Sequence, residues 1–377
     1  MDLKRRFFYL GSRPHEEKTG GVKYMNEVID YLKGHVGLVI WDPEDSQTFG
    51  TRVNRIGFQP LLSLIQSNIW GIKKLKGMGK GEIIIMNSYL RHRFLFFALY
   101  ARYRKKSQLI IFVNAIYHHS LGSSFLNGLD RFITRLLLRS AVLIIANSNS
   151  TKEELQALGI EDKKIQVIYP RLDMPPSNNV QVRKDTGAFH ILFIGYCEPF
   201  KELHVLVNAI GKLKRIPLCL HIIGDYQGDP GYVKKIRGII TNFGIEEKVV
   251  FHGRMGRKEL SVWFMKADLF VSPSRGEGYG RVLAEAMYFG LPVIGADRGA
   301  SKELIEHDIN GFLFESGSDE SLASFILLLY KNAELRKQFG EKGKALIHKK
   351  ANYDQNLGQQ FYAILGNNNI ITKNNSL

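Results

Sequence analysis

The sequence predicts an α/β protein with two doubly wound domains, each built on a parallel sheet. Three observations predict this fold class. Short apolar runs recur along the chain, stretches of helical periodicity separate them, and 377 residues is the length of about two ordinary domains. Strands that alternate with helices are joined by right-handed crossovers, which make the strands parallel. Ligands of such sheets bind beyond the carboxyl ends of the strands, so we expect the two domains to face each other across a cleft.

The first domain is predicted over residues 1–170, followed by a linker at 171–188 that contains a Pro-Pro and an Asn-Asn pair. Its predicted strands are apolar runs at residues 6–10, 36–41, 82–87, 109–114, 141–146 and 165–170. The second domain is predicted over residues 189–352. Its predicted strands lie at residues 190–195, 219–224, 249–252, 268–272, 292–296 and 311–314. Periodic helical stretches lie between the strands of both domains, as a doubly wound fold requires.

One glycine-rich stretch dominates the second domain. A short apolar run ends at Ser272 and Pro273, and Gly276, Gly278 and Gly280 follow at a spacing of two. Glycines let the backbone bend and approach a ligand closely. A helix is predicted to begin at the last of these glycines, and its first N–H groups and positive dipole end favour phosphate. The stretch therefore predicts a phosphate site.

Two carboxylates, Glu277 in the loop and Glu285 on the helix, flank this predicted phosphate site. A carboxylate repels phosphate, so its presence needs another explanation, and carboxylates are good acceptors for sugar hydroxyls. A ligand with hydroxyls at both ends and phosphates between them is a nucleotide sugar. The alternative, on spacing alone, is that Glu277 caps the helix and Glu285 is a solvated helix residue.

The same residues resemble a known family. Glu277-x7-Glu285 lies inside Pro-Ser-x-x-Glu-Gly-x-Gly, and Gly-Leu-Pro-Val and Asn310-Gly311 follow. This combination resembles the retaining glycosyltransferases of family 4, also named glycosyltransferase group 1, which have the GT-B fold. The resemblance implies two Rossmann-like domains, an N-terminal acceptor-side domain and a C-terminal domain that binds the nucleotide sugar. It also implies that a last helix, at about residues 353–377, packs back on the first domain.

The resemblance implies a set of site residues. The implied catalytic positions are Glu277, which would orient the donor sugar, and Lys201 and Arg281, which would stabilise the leaving diphosphate. The positions implied for binding the nucleotide sugar are Gly20, Gly21, Gly253, Arg254, Tyr279, Gly280, Val282 and Glu285. The candidates for contact with the donor sugar are Asn114, His118 and His119. The implied co-substrate is a nucleotide-diphosphate sugar, with no cofactor and no obligatory metal.

The chain departs from the family's pattern at two places. Tyr196 stands where the family carries the arginine of its Gly-Arg-x-x-x-x-Lys motif. Our hypothesis for the replacement cation is Arg281, with Arg275 as a second candidate. Asn114 stands where the family often carries a histidine, a role that His118 or His119 could supply.

The positive charge is concentrated in the first half of the chain. The net charge is +16, and residues 51–150 hold fifteen Lys or Arg against two acidic residues, which predicts an anionic partner. Residues 91–106 and 126–139 combine helical periodicity with aromatic and basic side chains, which suits a membrane interface. Ordinary solvated helices are the alternative. No apolar run reaches the roughly 20 residues of a membrane span.

We therefore predict a cytoplasmic protein that binds peripherally to the anionic inner face of the membrane through residues 71–139. The only cysteines, Cys197 and Cys219, have no metal-ligand spacing along the chain, which fits a reducing compartment. The predicted function is retaining transfer of a sugar from a nucleotide-diphosphate sugar to a lipid-linked or glycan acceptor, in cell-envelope polysaccharide or glycolipid synthesis. Two other classes remain open, a GT-B sugar-nucleotide epimerase and a basic nucleic-acid-binding protein. No recognised RNA or DNA module occurs, so we expect no nucleic-acid partner.

Overall fold

The computed structural model describes residues 7–10, 27–32, 38–41, 73, 81–87, 95–114, 124–172, 187–226, 229–351 and 357–371. The chain divides into two compact units. The first unit contains Met1–Pro170 and Gln355–Leu377, and the second contains Arg171–Asp354. Of the residues predicted as a linker, the structure describes 171–172 and 187–188.

The first unit is built on a six-stranded parallel sheet with the order β2-β1-β3-β4-β5-β6. Its strands are β1 (Phe7–Leu10), β2 (Leu38–Trp41), β3 (Ile83–Asn87), β4 (Gln108–Val113), β5 (Leu143–Ala146) and β6 (Ile165–Val167). Its helices include α1 (Leu95–Arg104), α2 (Ser124–Ser140) and α3 (Asn149–Ala157). Successive strand residues point to opposite faces, so the apolar runs supply a core on each side of the sheet. Ile84 and Leu109 belong to the core cluster that includes α1 and α2, whereas Ile83 and Ile110 belong to the other.

The second unit is built on another six-stranded parallel sheet, with the order β12-β11-β10-β7-β8-β9. Its strands are β7 (Phe189–Ile194), β8 (Leu218–Ile223), β9 (Val249–Gly253), β10 (Leu269–Ser272), β11 (Val293–Ala296) and β12 (Phe312–Phe314). Its helices are α4 (Leu203–Lys212), α5 (Pro230–Phe243), α6 (Arg257–Lys266), α7 (Arg281–Tyr288), α8 (Ser301–Leu304), α9 (Asp319–Lys331) and α10 (Ala333–Ala351). The predicted fold class is thereby confirmed, because both units are α/β with parallel sheets.

The strand order of the second sheet defines a switch point. From β7 the chain proceeds through β8 to β9 on one side, and from β10 it proceeds through β11 to β12 on the other. The strands β7 and β10 are neighbours in the sheet, and the loops that leave them diverge to opposite sides. In doubly wound sheets, ligands bind in the crevice at this point, beyond the carboxyl ends of the strands.

The last helix, α11 (Leu357–Asn367), belongs to the first unit. Its buried residues Leu357, Phe361 and Leu365 join the core cluster that contains Ile83 and Ile110. The ring of Phe361 lies 5.1 Å from the ring of Phe112 on β4. This helix therefore covers one face of the first sheet, although it follows the whole second unit in the sequence. Among the described residues, no helix combines the length and the apolar character that crossing a bilayer would require.

Candidate active site

Two loops meet at the switch point of the second sheet. The chain leaves β7 at Gly195 and forms a 3-10 turn at Pro199–Lys201, while the glycine-rich loop leaves β10 after Ser272. The backbone N–H of Arg275 donates to the carbonyl of Phe200 over 3.0 Å, which ties the loop to the turn. The turn and the loop each carry charged side chains, which pair with one another.

The central pair is Lys201 and Glu277. The Nζ atom of Lys201 lies 2.6 Å from Oε1 of Glu277, and the hydroxyl of Ser274 donates to the same oxygen over 2.8 Å. Their side chains are 13% and 20% exposed, so both charges are largely removed from water. Burial alone raises the pKa of Glu277, but the charge and hydrogen bond of Lys201, with Ser274, outweigh burial and leave the pKa lowered. Glu277 is therefore ionised and neutralised by Lys201.

A second loop holds Glu277 from the other side. Gly299 has φ of +58°, and a Cβ there would lie 3.0 Å from the backbone nitrogen and oxygen of Glu277. The N–H of Ala300 donates to the carbonyl of Glu277 over 3.1 Å. A side chain at position 299 would be strained and crowded, so glycine permits this close approach. The glycine-rich loop is thus fixed by backbone contacts on two sides.

The helix α7 begins at this loop. Its N-cap residue is Gly280, with φ of +68°, and no side chain of the described residues caps its first turn. Arg281 and Glu285 lie one turn apart on the helix and form an ion pair of 3.2 Å, with side chains 16% and 15% exposed. Tyr279 is buried and Val282 is half-buried in the same segment. Neither of the alternatives considered for the carboxylates is seen, because Glu277 does not cap α7 and Glu285 is not solvated.

The carboxyl ends of β8 and β9 complete this edge of the sheet. Gly253 has φ of +76°, and the hydroxyl of Tyr226 accepts from its N–H over 2.7 Å. Arg254 pairs with Asp225 over 2.6 Å, and its guanidinium lies 5.9 Å from the centre of the Tyr196 ring. The sequence analysis missed Asp225, although it directly follows the predicted strand 219–224. The predicted binding residues Gly253 and Arg254 therefore lie at the same sheet edge as Glu277.

The missing phosphate cation has two candidates, and both are engaged. Arg281 pairs with Glu285, as described above. Arg275 pairs with the buried Glu202, which the sequence analysis did not single out. Replacement of the absent arginine by Arg281, with Arg275 as the second candidate, remains a prediction.

The remaining predicted residues lie in the first unit. Asn114 directly follows β4 and is half-buried, and its Oδ1 atom has no hydrogen-bond partner among the described residues. Gly20, Gly21, His118 and His119 lie outside the described residues. Their predicted roles in binding the donor stay predictions.

The second sheet also holds a side-chain cluster that the sequence analysis missed. Potential metal-ligating atoms of His190 on β7 and of Cys219 and His221 on β8 lie within 4.8 Å of one another. Four ring nitrogens are already engaged, because His190 Nδ1 lies 2.9 Å from His221 Nε2, and His221 Nδ1 lies 3.0 Å from His252 Nε2 on β9. The buried Nε2 atom of His190 has no hydrogen-bond partner among the described residues. We therefore describe the cluster as a hydrogen-bonded column of imidazoles. Spacing along the chain could not reveal it, since the members come from three strands.

Comparison with solved structures shows which fold this is. Anabaena HepE, solved in complex with UDP, matches with a TM-score of 0.70 at 19% identity, over 96% of this chain and 100% of that one. Sucrose-phosphate synthase of Thermosynechococcus elongatus matches with a TM-score of 0.73 at 17% identity, over 96% of this chain and 99% of that one. At these identities the likeness shows the fold alone. The fold is the GT-B fold of glycosyltransferases.

Comparison with protein families covers both units. The family described as Glycosyl transferases group 1 matches residues 176–346, and Glycosyltransferase Family 4 matches residues 20–174. This chain belongs to the group 1 glycosyltransferases of family 4.

Curated relatives carry several glycosyltransferase names. D-inositol 3-phosphate glycosyltransferase of Jonesia denitrificans is 28% identical over 217 residues, which are 53% of this chain and 51% of that protein. N-acetyl-alpha-D-glucosaminyl L-malate synthase of Bacillus anthracis is 27% identical over 237 residues, which are 60% of each protein. The chain spans about half the length of the first curated relatives it matches.

Proposed function

We propose that this chain is a retaining glycosyltransferase that moves a sugar from a nucleotide-diphosphate sugar to a glycan or lipid-linked acceptor. The observation that carries the proposal is a pair of neutralised carboxylates at the switch point, Glu277 with Lys201 and Glu285 with Arg281, on either side of the start of α7. Cations suit a diphosphate and carboxylates suit hydroxyls, and a nucleotide sugar carries both. Membership of the family supports the same class of reaction.

In this proposal, donor binding exchanges the ion-pair partners of the two cations. The diphosphate takes Lys201 and Arg281 from their carboxylates, because each cation gains a charge-assisted bond to phosphate in place of one to a carboxylate. Glu277 is left to accept hydrogen bonds from the sugar hydroxyls, and Glu285 from the ribose. The uncapped N–H groups of α7 add donors to the phosphate. Glu277 needs no proton loss for its part, since its pKa is already lowered.

The transfer itself follows a front-face route in this proposal. The bond between the anomeric carbon and the diphosphate oxygen breaks, and the acceptor oxygen bonds to carbon on the same face. The leaving diphosphate oxygen takes the proton of the acceptor hydroxyl. Lys201, Arg281 and α7 stabilise the charge on the leaving group, while Glu277 and Glu285 position the donor. No cofactor and no bound metal is required in this scheme, because the side chains and helix supply the positive charge.

The test is thermal stabilisation by UDP-, GDP-, ADP- and CMP-sugars, starting with UDP-glucose because HepE was solved with it. A ligand that binds only the folded state raises the melting temperature, by roughly 2–4 °C near a hundred times its Kd. We expect one nucleotide to stabilise the wild type and the control Glu341→Ala, which changes an exposed glutamate of α10, but not Glu285→Ala. The shift should persist in a chelator. A wild type that none of these nucleotides stabilises would contradict the proposal.

We further propose that the acceptor is presented at a membrane, in cell-envelope polysaccharide or glycolipid synthesis, with the protein peripheral to the cytoplasmic face. The support is a surface of the first unit formed by α1 and α2, which pack against each other. Phe96, Tyr103 and Phe132 on this surface are 56%, 70% and 64% exposed. Exposed cations on the same two helices are Arg104, Arg131, Arg135 and Arg139. Large exposed aromatics among cations are typical of helices that bind an anionic bilayer.

A further inference from the structure

Glu202 of the second unit combines an unfavourable backbone conformation with a buried carboxylate. It follows Lys201 directly and has φ of 49° and ψ of 33°, the left-handed region that favours glycine. Its side chain is 1% exposed, and its Oε2 atom has no hydrogen-bond partner among the described residues. A buried carboxylate with one unsatisfied oxygen, on a strained backbone, lowers the stability of the fold. Strain and unsatisfied burial of this kind concentrate at functional sites.

The partner of Glu202 is Arg275 in the glycine-rich loop. The Nε and Nη2 atoms of Arg275 lie 2.9 Å and 2.6 Å from Oε1 of Glu202. The backbone of Glu202 is also held, because its N–H donates to the carbonyl of Pro199 over 3.1 Å and its carbonyl accepts from Val205 over 2.9 Å. The pair thus joins a rigid turn to the loop that carries Glu277.

Two ion pairs of opposite polarity therefore connect the same two segments. In one the turn supplies the cation, Lys201, and the loop supplies Glu277; in the other the turn supplies Glu202 and the loop supplies Arg275. A slip that exchanged the partners would bring Lys201 to Arg275 and Glu202 to Glu277, which are like charges. The charge pattern therefore favours a single register between the turn and the loop.

Donor binding, as proposed above, affects one of these two ion pairs and leaves the other in place. The diphosphate competes for Lys201, so the pair between Lys201 and Glu277 is weakened at the moment when Glu277 must hold the sugar. The pair between Glu202 and Arg275 involves neither of these residues and persists. We propose that Glu202 and Arg275 are positioning residues that keep the glycine-rich loop beside the Lys201 turn while Lys201 is bound to the diphosphate. This inference rests on the proposed function.

The experiment measures UDP affinity by calorimetry, donor and acceptor KM by steady-state kinetics, and melting temperature, for matched variants. Glu202→Gly is the decisive variant, because glycine adopts the left-handed backbone freely and removes the buried carboxylate. We expect its melting temperature to be unchanged or raised, while UDP binds roughly tenfold more weakly and the donor KM rises by a similar factor. The acceptor KM should stay unchanged. Arg275→Met should show the same loss, and Arg275→Lys should restore much of the affinity.

The control is Lys212→Met, which removes an exposed ion pair of the same unit with Asp319 and should leave UDP affinity unchanged. UDP affinity within twofold of wild type in Glu202→Gly would overturn the inference alone, as would equal increases of the donor and acceptor KM. A loss of affinity that tracks a lower melting temperature across the variants would assign the pair a purely structural role. If the wild type bound none of UDP, GDP, ADP or CMP, both this inference and the proposed function would fall.

Discussion

Each cation of the candidate site is held by a particular carboxylate before any ligand binds. Lys201 pairs with Glu277, Arg281 with Glu285 and Arg254 with Asp225. For Lys201 and Arg281, whose side chains are 13% and 16% exposed, the pairing avoids the cost of an isolated buried charge. Such a cation can still leave its carboxylate for the diphosphate of a donor, which as a whole carries more negative charge than one carboxylate. A single substitution in one of the two buried pairs leaves a charge without its partner, so donor binding and melting temperature have to be measured together for each variant.

Arg281→Ala tests the replacement of the family's missing arginine. If Arg281 contacts the diphosphate, its loss should cost about 1–2 kcal/mol of donor binding, which raises the donor KM roughly tenfold. The measurement is the steady-state donor KM beside that of Arg215→Ala, an exposed arginine before the amino end of β8. A donor KM that moves no further in Arg281→Ala than in this control would show that other groups hold the phosphates.

Single site residues could be predicted from the sequence, whereas their ion-pair partners could not. The spacing of Glu277 and Glu285 and the position of Lys201 follow from local motifs, and the structure places all three at the switch point. The partnership of Glu202 with Arg275 was not predictable, because 73 positions separate the two residues along the chain. Charge pairs across a sheet edge are fixed by tertiary packing, which leaves no periodic signal in the sequence.

At the scale of elements, the strands were predictable for a specific physical reason. Parallel strands are covered on both faces, so they read as short continuous apolar runs such as Ile83–Asn87 and Leu143–Ala146. The predicted ends of the strands differ from the observed ends by a few residues. The strand β6, for example, was predicted at 165–170 and is observed at Ile165–Val167. The column of His190, His221 and His252 could not be predicted, because alignment of three strands depends on the register of the sheet.

This column predicts a pH dependence of stability. Burial, with the neighbouring His190 and His252, lowers the pKa of His221 to about 4. An unfolded histidine has a pKa near 6.5, so between these values the unfolded chain binds more protons than the folded one. The stabilising effect of a neutral His221 is therefore complete above pH of about 6.5 and is lost as the pH falls toward 4, with a limit of about 1.4 kcal/mol per pH unit.

The measurement is the free energy of unfolding in urea between pH 7 and pH 5, for wild type and His221→Leu. The range stays above the ordinary pKa of carboxyl groups, so their titration contributes little. His204 and His252 also have lowered pKa values, chiefly through burial, and contribute to both proteins. The quantity to compare is therefore the slope of the unfolding free energy against pH, in the wild type and in the variant. Equal slopes would show that His221 does not titrate as its burial demands.

At the scale of the whole molecule, positive charge is concentrated in one part of the chain, and the described residues of that part include exposed aromatic side chains. Residues 51–150 hold fifteen Lys or Arg against two acidic residues, and α1 and α2 lie within this range. In general, a cation near an anionic leaflet contributes about 1 kcal/mol of binding, and an exposed aromatic side chain offers apolar area for burial in the interface. A few such residues suffice for reversible binding without a spanning helix.

The proposed membrane surface predicts lipid-selective binding that a matched control can isolate. The wild type should sediment with vesicles of phosphatidylglycerol and much less with phosphatidylcholine, and added salt should weaken the binding. Replacing Phe96, Tyr103 and Phe132 together by serine should weaken the binding to these vesicles roughly tenfold or more, since three exposed aromatics leave the interface.

The control replaces Val250, Ile309 and Leu328, which are exposed apolar residues of the second unit, by serine. Equal loss in both triple variants would show that general surface hydrophobicity, and not α1 and α2, governs the binding. Binding to RNA as tight as that to anionic vesicles would instead favour a nucleic-acid partner for the basic half of the chain.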